Sequence, residues 1–157
     1  MSGFRPGVRL GIDVGTARVG VARCDRDGLL AVPVETVPRT DAAAARVAEL
    51  AAEYDAFEVL VGLPVSLSGG ETASTADARA FAGQVAAASA VPIRLVDERL
   101  STVSAHAVLR DAGRSQKSSR RIVDQVAAVV LLQQAIDVEK STGYPAGAAL
   151  SDPQEPA

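Results

Sequence analysis

The hydrophobic period of this chain changes once, and that change limits what it can fold into. Residues 8–14 (VRLGIDV), 18–24 (RVGVARC) and 29–37 (LLAVPVETV) are short, apolar and β-branched. Such runs read as strands. Only Gly15, Thr16 and Ala17 separate the first two. That is too short for a crossover, so the pair forms an antiparallel hairpin. Pro33 has no amide proton to donate and sends the third strand to a sheet edge. From Asp41, the expected N-cap, apolar residues recur at helical spacing through Ala45, Val47, Ala48, Leu50 and Ala52. Short apolar runs at 58–62 and 92–96 then alternate with helical stretches at 75–88, 101–111 and 119–139. A Pro/Gly/Ser loop occupies 63–71.

The order β-β-β-α-β-α-β-α-α implies an α/β domain. It has one mixed five-stranded sheet, three strands antiparallel and two joining parallel by right-handed crossovers. Helices cover both faces, which is the order of a ribonuclease H-like domain. With 157 residues the chain fits one domain, expected over 1–140. From about Ser141 the sequence is rich in Gly, Pro, Ser and Ala without periodicity, and 141–157 is expected to be a disordered tail.

Composition excludes several function classes. No run of about 18 apolar residues is present to span a bilayer. The N-terminal MSGFRPGVRL lacks the apolar core of a secretory signal. The single cysteine, Cys24, offers neither a disulfide nor zinc-ligand spacing, and a reducing cytoplasm is the expected compartment. With 3% aromatic residues and no Trp, stacking on bases is not an evident binding mode. Net charge is −3, yet the charges segregate. Arg110, Arg114, Lys117, Arg120 and Arg121 face only Asp111 in their stretch, whereas residues 41–58 are acidic. A local basic segment can bind phosphates on an acidic body, although a solvated helix end would look the same.

Acids stand at three places where chemistry is expected. Asp13 lies inside an apolar strand, where a carboxylate is costly unless paired or holding a cation. Gly11 and Gly15 beside it permit close approach of a backbone or ligand. Thr16 and Arg18 follow in the hairpin and could meet phosphate oxygens. The plainer alternative is an acid capping its own turn. Asp97 and Glu98 end the strand at 92–96, and strand C-termini are where α/β sheets place ligands. Their side chains alternate, so only one can share a pocket with Asp13, and spacing does not decide which. Asp124 falls in the second turn of a helix expected to start at Ser119, on one face with Ala128 and Leu131. Its plainer role is a helix-dipole acid, worth about 0.3–1 kcal/mol. Carboxylates about 4 Å apart repel by roughly 4 kcal/mol at an effective dielectric near 20, so a cluster calls for a cation. Hard oxygen ligands favour Mg²⁺ or Mn²⁺. His106 reads as an exposed helical residue, and Cys24 as a packed one.

The segments GIDVGTARVGVA, VGLPVSLSGGETAST, VDERLSTVSA and RRIVDQVAAVVLL, in that order, resemble the YqgF-type family. Its members are described as pre-16S rRNA nucleases or Holliday-junction-resolvase-like proteins. The resemblance runs from about Leu10 to Leu132. It implies an acidic triad of Asp13, Glu98 and Asp124 binding Mg²⁺ or Mn²⁺, and so favours Glu98 over Asp97. It also implies cytoplasmic processing of the 5′ end of precursor 16S rRNA. Gly62, Pro64 and Gly69 match the family's GLP…G loop, but Ser68-Gly69-Gly70-Glu71 stands where members often carry an Asn/Asp-Gly-Thr turn.

The expected function is therefore metal-dependent phosphodiester hydrolysis. Thr16, Arg18, Arg114, Lys117, Arg120 and Arg121 are the expected nucleic-acid contacts, with precursor rRNA as partner and no membrane. Four-way DNA is the alternative substrate. Symmetric cutting of it needs a homodimer, and the sequence does not choose between that and a monomer. Two other classes are weighed against this. DVGTARVGVA also resembles the first phosphate loop of actin- and Hsp70-like ATPases, which need two such domains around a nucleotide. A non-catalytic nucleic-acid-binding module would keep the fold with structural acids.

Overall fold

The structure is a computed structural model that describes residues 3–65, 68, 70–97 and 116–150, with no side-chain detail for 116–124. The expected helix at 101–111 and His106 lie outside the described residues. Three strands open the chain: β1 (Arg9–Val14), β2 (Arg18–Cys24) and β3 (Ala31–Pro38). Helix α1 (Ala43–Glu53), β4 (Glu58–Leu63), α2 (Ala73–Ala88) and β5 (Ile93–Asp97) follow. Helix α3 spans Gln116–Thr142, and β6 is the short Ala148–Ala149. The sheet order is β3-β2-β1-β4-β5-β6. The first three strands are antiparallel, and β1, β4 and β5 are parallel, as the hydrophobic pattern implied. Strand β3 is the edge that Pro33 required, and its pairing with β2 shifts register between Val21 and Ala22.

Side-chain alternation divides the sheet into two unlike faces. Leu10, Ile12 and Val14 join Val19, Val21, Val59, Val61, Ile93 and Leu95 in a branched apolar core under Val47 and Leu50 of α1 and Phe81 and Val85 of α2. The opposite parity is small. Ala22, Cys24 and Leu60 pack against Ala128, Leu132, Ala135 and Ile136 of α3. Gly11 lies at the centre of that face. A Cβ on it would sit 2.8 Å from Leu132 Cβ and 3.1 Å from the Ala128 carbonyl oxygen. Glycine is thus required where the helix backbone touches the strand.

The far end of this contact is polar and buried. The Arg9 side chain is 1% exposed, and its Nη2 donates to Glu139 Oε2 at 2.9 Å. Its guanidinium lies between the rings of Phe4 and Phe57, 4.6 and 4.7 Å from their centroids. Arg5 bridges Glu139 and Glu58 with 2.8 and 2.9 Å bonds. Burial pushes the Glu139 carboxyl up, but hydrogen bonds from the Arg5 side chain and backbone and the charge of Arg9 outweigh it, leaving the carboxyl below its ordinary value. Periodicity gave no sign of Arg9 as a buried residue.

Three local expectations are corrected. Helix α1 is preceded by Ala42 with no side-chain cap, so Asp41 is not its N-cap; Thr40 Oγ1 instead accepts from the Ala42 amide at 3.2 Å. Helix α3 starts at Gln116, which puts Ser119 inside it rather than at its cap and Asp124 in its third turn. The chain from 141 to 150 is structured, because α3 continues to Thr142 and β6 pairs antiparallel with β5. That sixth strand adds to the five expected. It is held by Arg94, which donates to the Ala146 and Gly147 carbonyls at 2.9 Å each. Gly147 has φ of 71°, and a Cβ there would lie 2.1 Å from the Leu95 carbonyl oxygen. Composition concealed these contacts; residues 151–157 lie outside the described part. Among the described residues no helix is long and apolar enough to cross a membrane.

Two substitutions test this packing. Gly11→Ala forces α3 off the strand and is expected to cost about 1–3 kcal/mol in denaturant unfolding, the range for overpacking. Glu139→Gln leaves Arg9 buried without its counter-charge, a loss of about 3–5 kcal/mol for a broken buried pair. Because the Glu139 carboxyl is held low when folded, its stabilisation is complete above the unfolded value, about 4.3. It is lost as pH falls through the lower folded value. An unfolding series in acid is therefore expected to show a flatter pH dependence for Glu139→Gln than for the wild-type protein.

Candidate nuclease site

Asp13 has the parity of Arg9 and Gly11, so it lies on the α3 side of β1, near the strand's C-terminal end. Its neighbours across the sheet are informative. On β2 it pairs with Gly20. On β4 the register that matches Ile12 with Val61 brings Gly62 to its level, and Gly62 in turn pairs with Val96 on β5. Gly20 and Gly62 share the α3-facing parity of Ala22 and Leu60. The Asp13 carboxylate is thus flanked on both adjacent strands by residues that bring no side chain to its face. Thr36 pairs with Gly20 one strand further out, and its Oγ1 accepts from Gln125 Nε2 at 2.7 Å.

Helix α3 runs antiparallel to β1. Glu139 meets Arg9, and Ala128 and Leu132 meet Gly11. Two residues along a strand advance about 6.6 Å. Four residues back along a helix advance about 6 Å. The α3 backbone at Asp124, four residues before Ala128, therefore reaches the level of Asp13, and the Gln125–Thr36 bond fixes that segment over β3. In the third turn of α3, Asp124 is also beyond the first turn where the helix dipole acts.

Asp97 ends β5 with the parity of Ile93 and Leu95, on the α1–α2 side, opposite Asp13. Glu98 follows it immediately but lies outside the described residues, as does Arg114. Lys117, Arg120 and Arg121 belong to the helical backbone that precedes Asp124, at the end of α3 toward the β1–β2 turn. Their side chains, and that of Asp124, are outside the described part. Thr16 is exposed at the tip of that turn, and Arg18 is half-buried where β2 begins. Thr16 lines a cleft of about 220 Å³ with Arg39, Ala73, Ser74 and Asp77. Among the described residues no cluster of three His, Cys, Asp or Glu forms a metal site. Cys24 is fully buried, and its Sγ accepts from the Arg9 amide at 3.3 Å, a packing role.

Sequence reasoning missed three features here. Gly20 could have been noticed as a strand-interior glycine one turn of pleat from the hairpin. Gln125 lies beside Asp124 but signals nothing until the sheet order is known. The pair formed by Arg39 and Asp77 joins residues far apart in sequence, and no local pattern marks it.

Known proteins share this architecture. A solved structure of T. thermophilus RuvC in complex with Holliday junction substrate superposes with a TM-score of 0.55 at 19% identity, covering 88% of this chain and 99% of that one. This confirms the ribonuclease H-like fold. A protein of Leifsonia xyli subsp. xyli with the name "Putative pre-16S rRNA nuclease" is 55% identical over 146 residues, covering 92% of this chain and 94% of its own. A Streptomyces coelicolor protein of the same name is 53% identical over 147 residues, covering 92% and 88%. The family model described as "RuvX: Holliday junction resolvase" matches residues 7–138, and the chain belongs to that family.

Proposed function

We propose that the protein is a metal-dependent nuclease that hydrolyses phosphodiester bonds, with the 5′ end of precursor 16S rRNA as its substrate and the cytoplasm as its place of work. The observation that carries this reading is Asp13 on the α3 face, bare of side chains on both neighbouring strands and level with the α3 backbone at Asp124. A hard divalent cation fits there. It takes oxygen ligands and keeps several waters, and Gly20 and Gly62 bring no side chain of their own beside Asp13. Asp13, Glu98 and Asp124 would hold it. Mg²⁺ or Mn²⁺, when bound, supplies Lewis acidity to activate water and to stabilise the leaving oxygen.

The chain's own residues supply position and charge. Asp97 has the parity of the α1–α2 face, which supports Glu98, the residue the family resemblance favours, as the acid of that pair. Thr16 and Arg18 meet phosphate oxygens at the turn beyond β1. Arg114, Lys117, Arg120 and Arg121 carry the substrate backbone along the start of α3, a contact that weakens with salt. The names of the relatives support RNA as substrate. The family description supports a second reading, a four-way DNA junction cut by a homodimer.

The test compares wild type and Asp13→Asn on precursor 16S rRNA and on a synthetic four-way junction, with Mn²⁺ and with chelator. Wild-type cleavage of the RNA that chelator stops is expected. Asp13→Asn should lose more than about 100-fold in rate, since even outer partners of metal ligands cost 10–100-fold. Its unfolding transition should stay cooperative. Full activity in Asp13→Asn, or wild-type cleavage that survives chelation, contradicts the reading. Preferential cutting of the junction moves the substrate to DNA.

A further inference from the structure

Arg39 follows β3 directly and touches two parts of the fold, the β1–β2 turn and α2. Its Nη1 donates to the Gly15 carbonyl at 2.8 Å and to Asp77 Oδ2 at 2.8 Å, and Nη2 donates to Asp77 Oδ1 at 3.0 Å. Its guanidinium lies over the buried Phe81 ring, 5.0 Å from the centroid. Its backbone amide donates to the Ala17 carbonyl at 3.0 Å. One residue thus holds the turn at both Gly15 and Ala17, while the Gly15 amide closes the turn on the Arg18 carbonyl at 2.8 Å. The turn begins two residues after Asp13 and presents Thr16.

Asp77 connects this turn to a second loop. It lies in the second turn of α2, whose N-cap is Thr72. Two residues earlier Thr75 donates its hydroxyl to the Pro64 carbonyl, at the start of the loop after β4. The turn after β1 and the loop after β4 are therefore tied to one helix. Both stand at the C-terminal ends of parallel strands, where α/β sheets place their ligands. As an ion pair, Arg39 and Asp77 are exposed enough to add little stability. As a planar fork gripping a carboxylate and a main-chain carbonyl together, the guanidinium sets geometry that an ammonium cannot reproduce.

We infer that Arg39 is a positioning residue for the nuclease site: joined to Asp77, it fixes the turn that leaves Asp13 and the place from which Thr16 meets a substrate phosphate. This rests on the nuclease reading above. Misplacement by about 1 Å can cost about 100-fold in rate, so the effect belongs in kcat.

The experiment measures kcat and KM for cleavage of precursor 16S rRNA with Mn²⁺, and hydrogen exchange of the turn amides, in wild type, Arg39→Gln, Arg39→Lys and Asp77→Asn. Arg39→Gln is expected to lower kcat by about 10- to 100-fold with a smaller change in KM, and to lose protection at the Gly15 amide. Arg39→Lys restores charge but not the fork, and is expected to restore neither quantity. Asp77→Asn keeps the Arg39–Gly15 contact, and a smaller loss in kcat is expected even if Arg39→Gln folds poorly. Folded variants with wild-type kcat and an unchanged Gly15 amide overturn the role of Arg39 alone, as does full rescue by lysine. A wild-type protein that cleaves neither RNA nor junction DNA overturns the nuclease reading, and this role with it.

Discussion

The contact of α3 with the sheet at Gly11 is the constraint from which the rest follows. A helix lies this close to a strand only where the strand carries no side chain, and the gap beneath Ala128 and Leu132 leaves no room for a methyl group. The surrounding positions are small for the same reason. Ala22, Cys24 and Ala135 let the helix settle, whereas the opposite face is filled by Leu, Ile, Val and Phe. The sheet is therefore asymmetric by composition. One face stabilises the fold through branched side chains, and the other admits a helix backbone and, at its end, a carboxylate.

Charge then fixes where along the strand the helix comes to rest. Arg9, enclosed by two aromatic rings and paired with Glu139, anchors one end. A slip by one helical turn would take Glu139 away from the buried Arg9 and leave that guanidinium without its counter-charge, at a cost of about 3–5 kcal/mol. From that end α3 runs back to its contact at Gly11, and from Ala128 four more residues along the helix match two more along β1. Asp13 and the backbone of Asp124 then meet at one level. Arg9 of the stabilising ion pair and Asp13, the acid of the proposed site, stand on the same face of the same strand, four residues apart, and differ in their surroundings. Arg9 is enclosed by rings, while Asp13 is bordered by Gly20 and Gly62.

Much of this was legible in the sequence. The short hairpin connection, Pro33 and the switch of period at Asp41 were sufficient for the strand order, the edge and the parallel crossovers. Gly11 and Gly15 were read as points of close approach, and Gly11 is one, to a helix rather than a ligand. Spacing does not separate Asp97 from Glu98, because the face each takes depends on which parity of β5 meets α3; Asp97 has the parity of the α1–α2 face, and Glu98 lies outside the described residues. The caps of α1 and α3 were misplaced because Asp41 and Ser119 have suitable side chains, but cap choice depends on the entry path of the chain. The segment from 141 to 150 looked featureless because its structure comes from Arg94 and Gly147, not from periodicity. Interactions between distant charges, such as Arg39 with Asp77, carry no local signal.

The most direct measurement of the central claim is Mn²⁺-induced broadening of backbone amide resonances in the folded protein. Broadening centred on Asp13, Gly20, Gly62 and Asp124, fading toward Arg9 and Glu139, is the predicted pattern. Broadening confined to the acidic surface of 41–58, or none at millimolar Mn²⁺, would contradict the account.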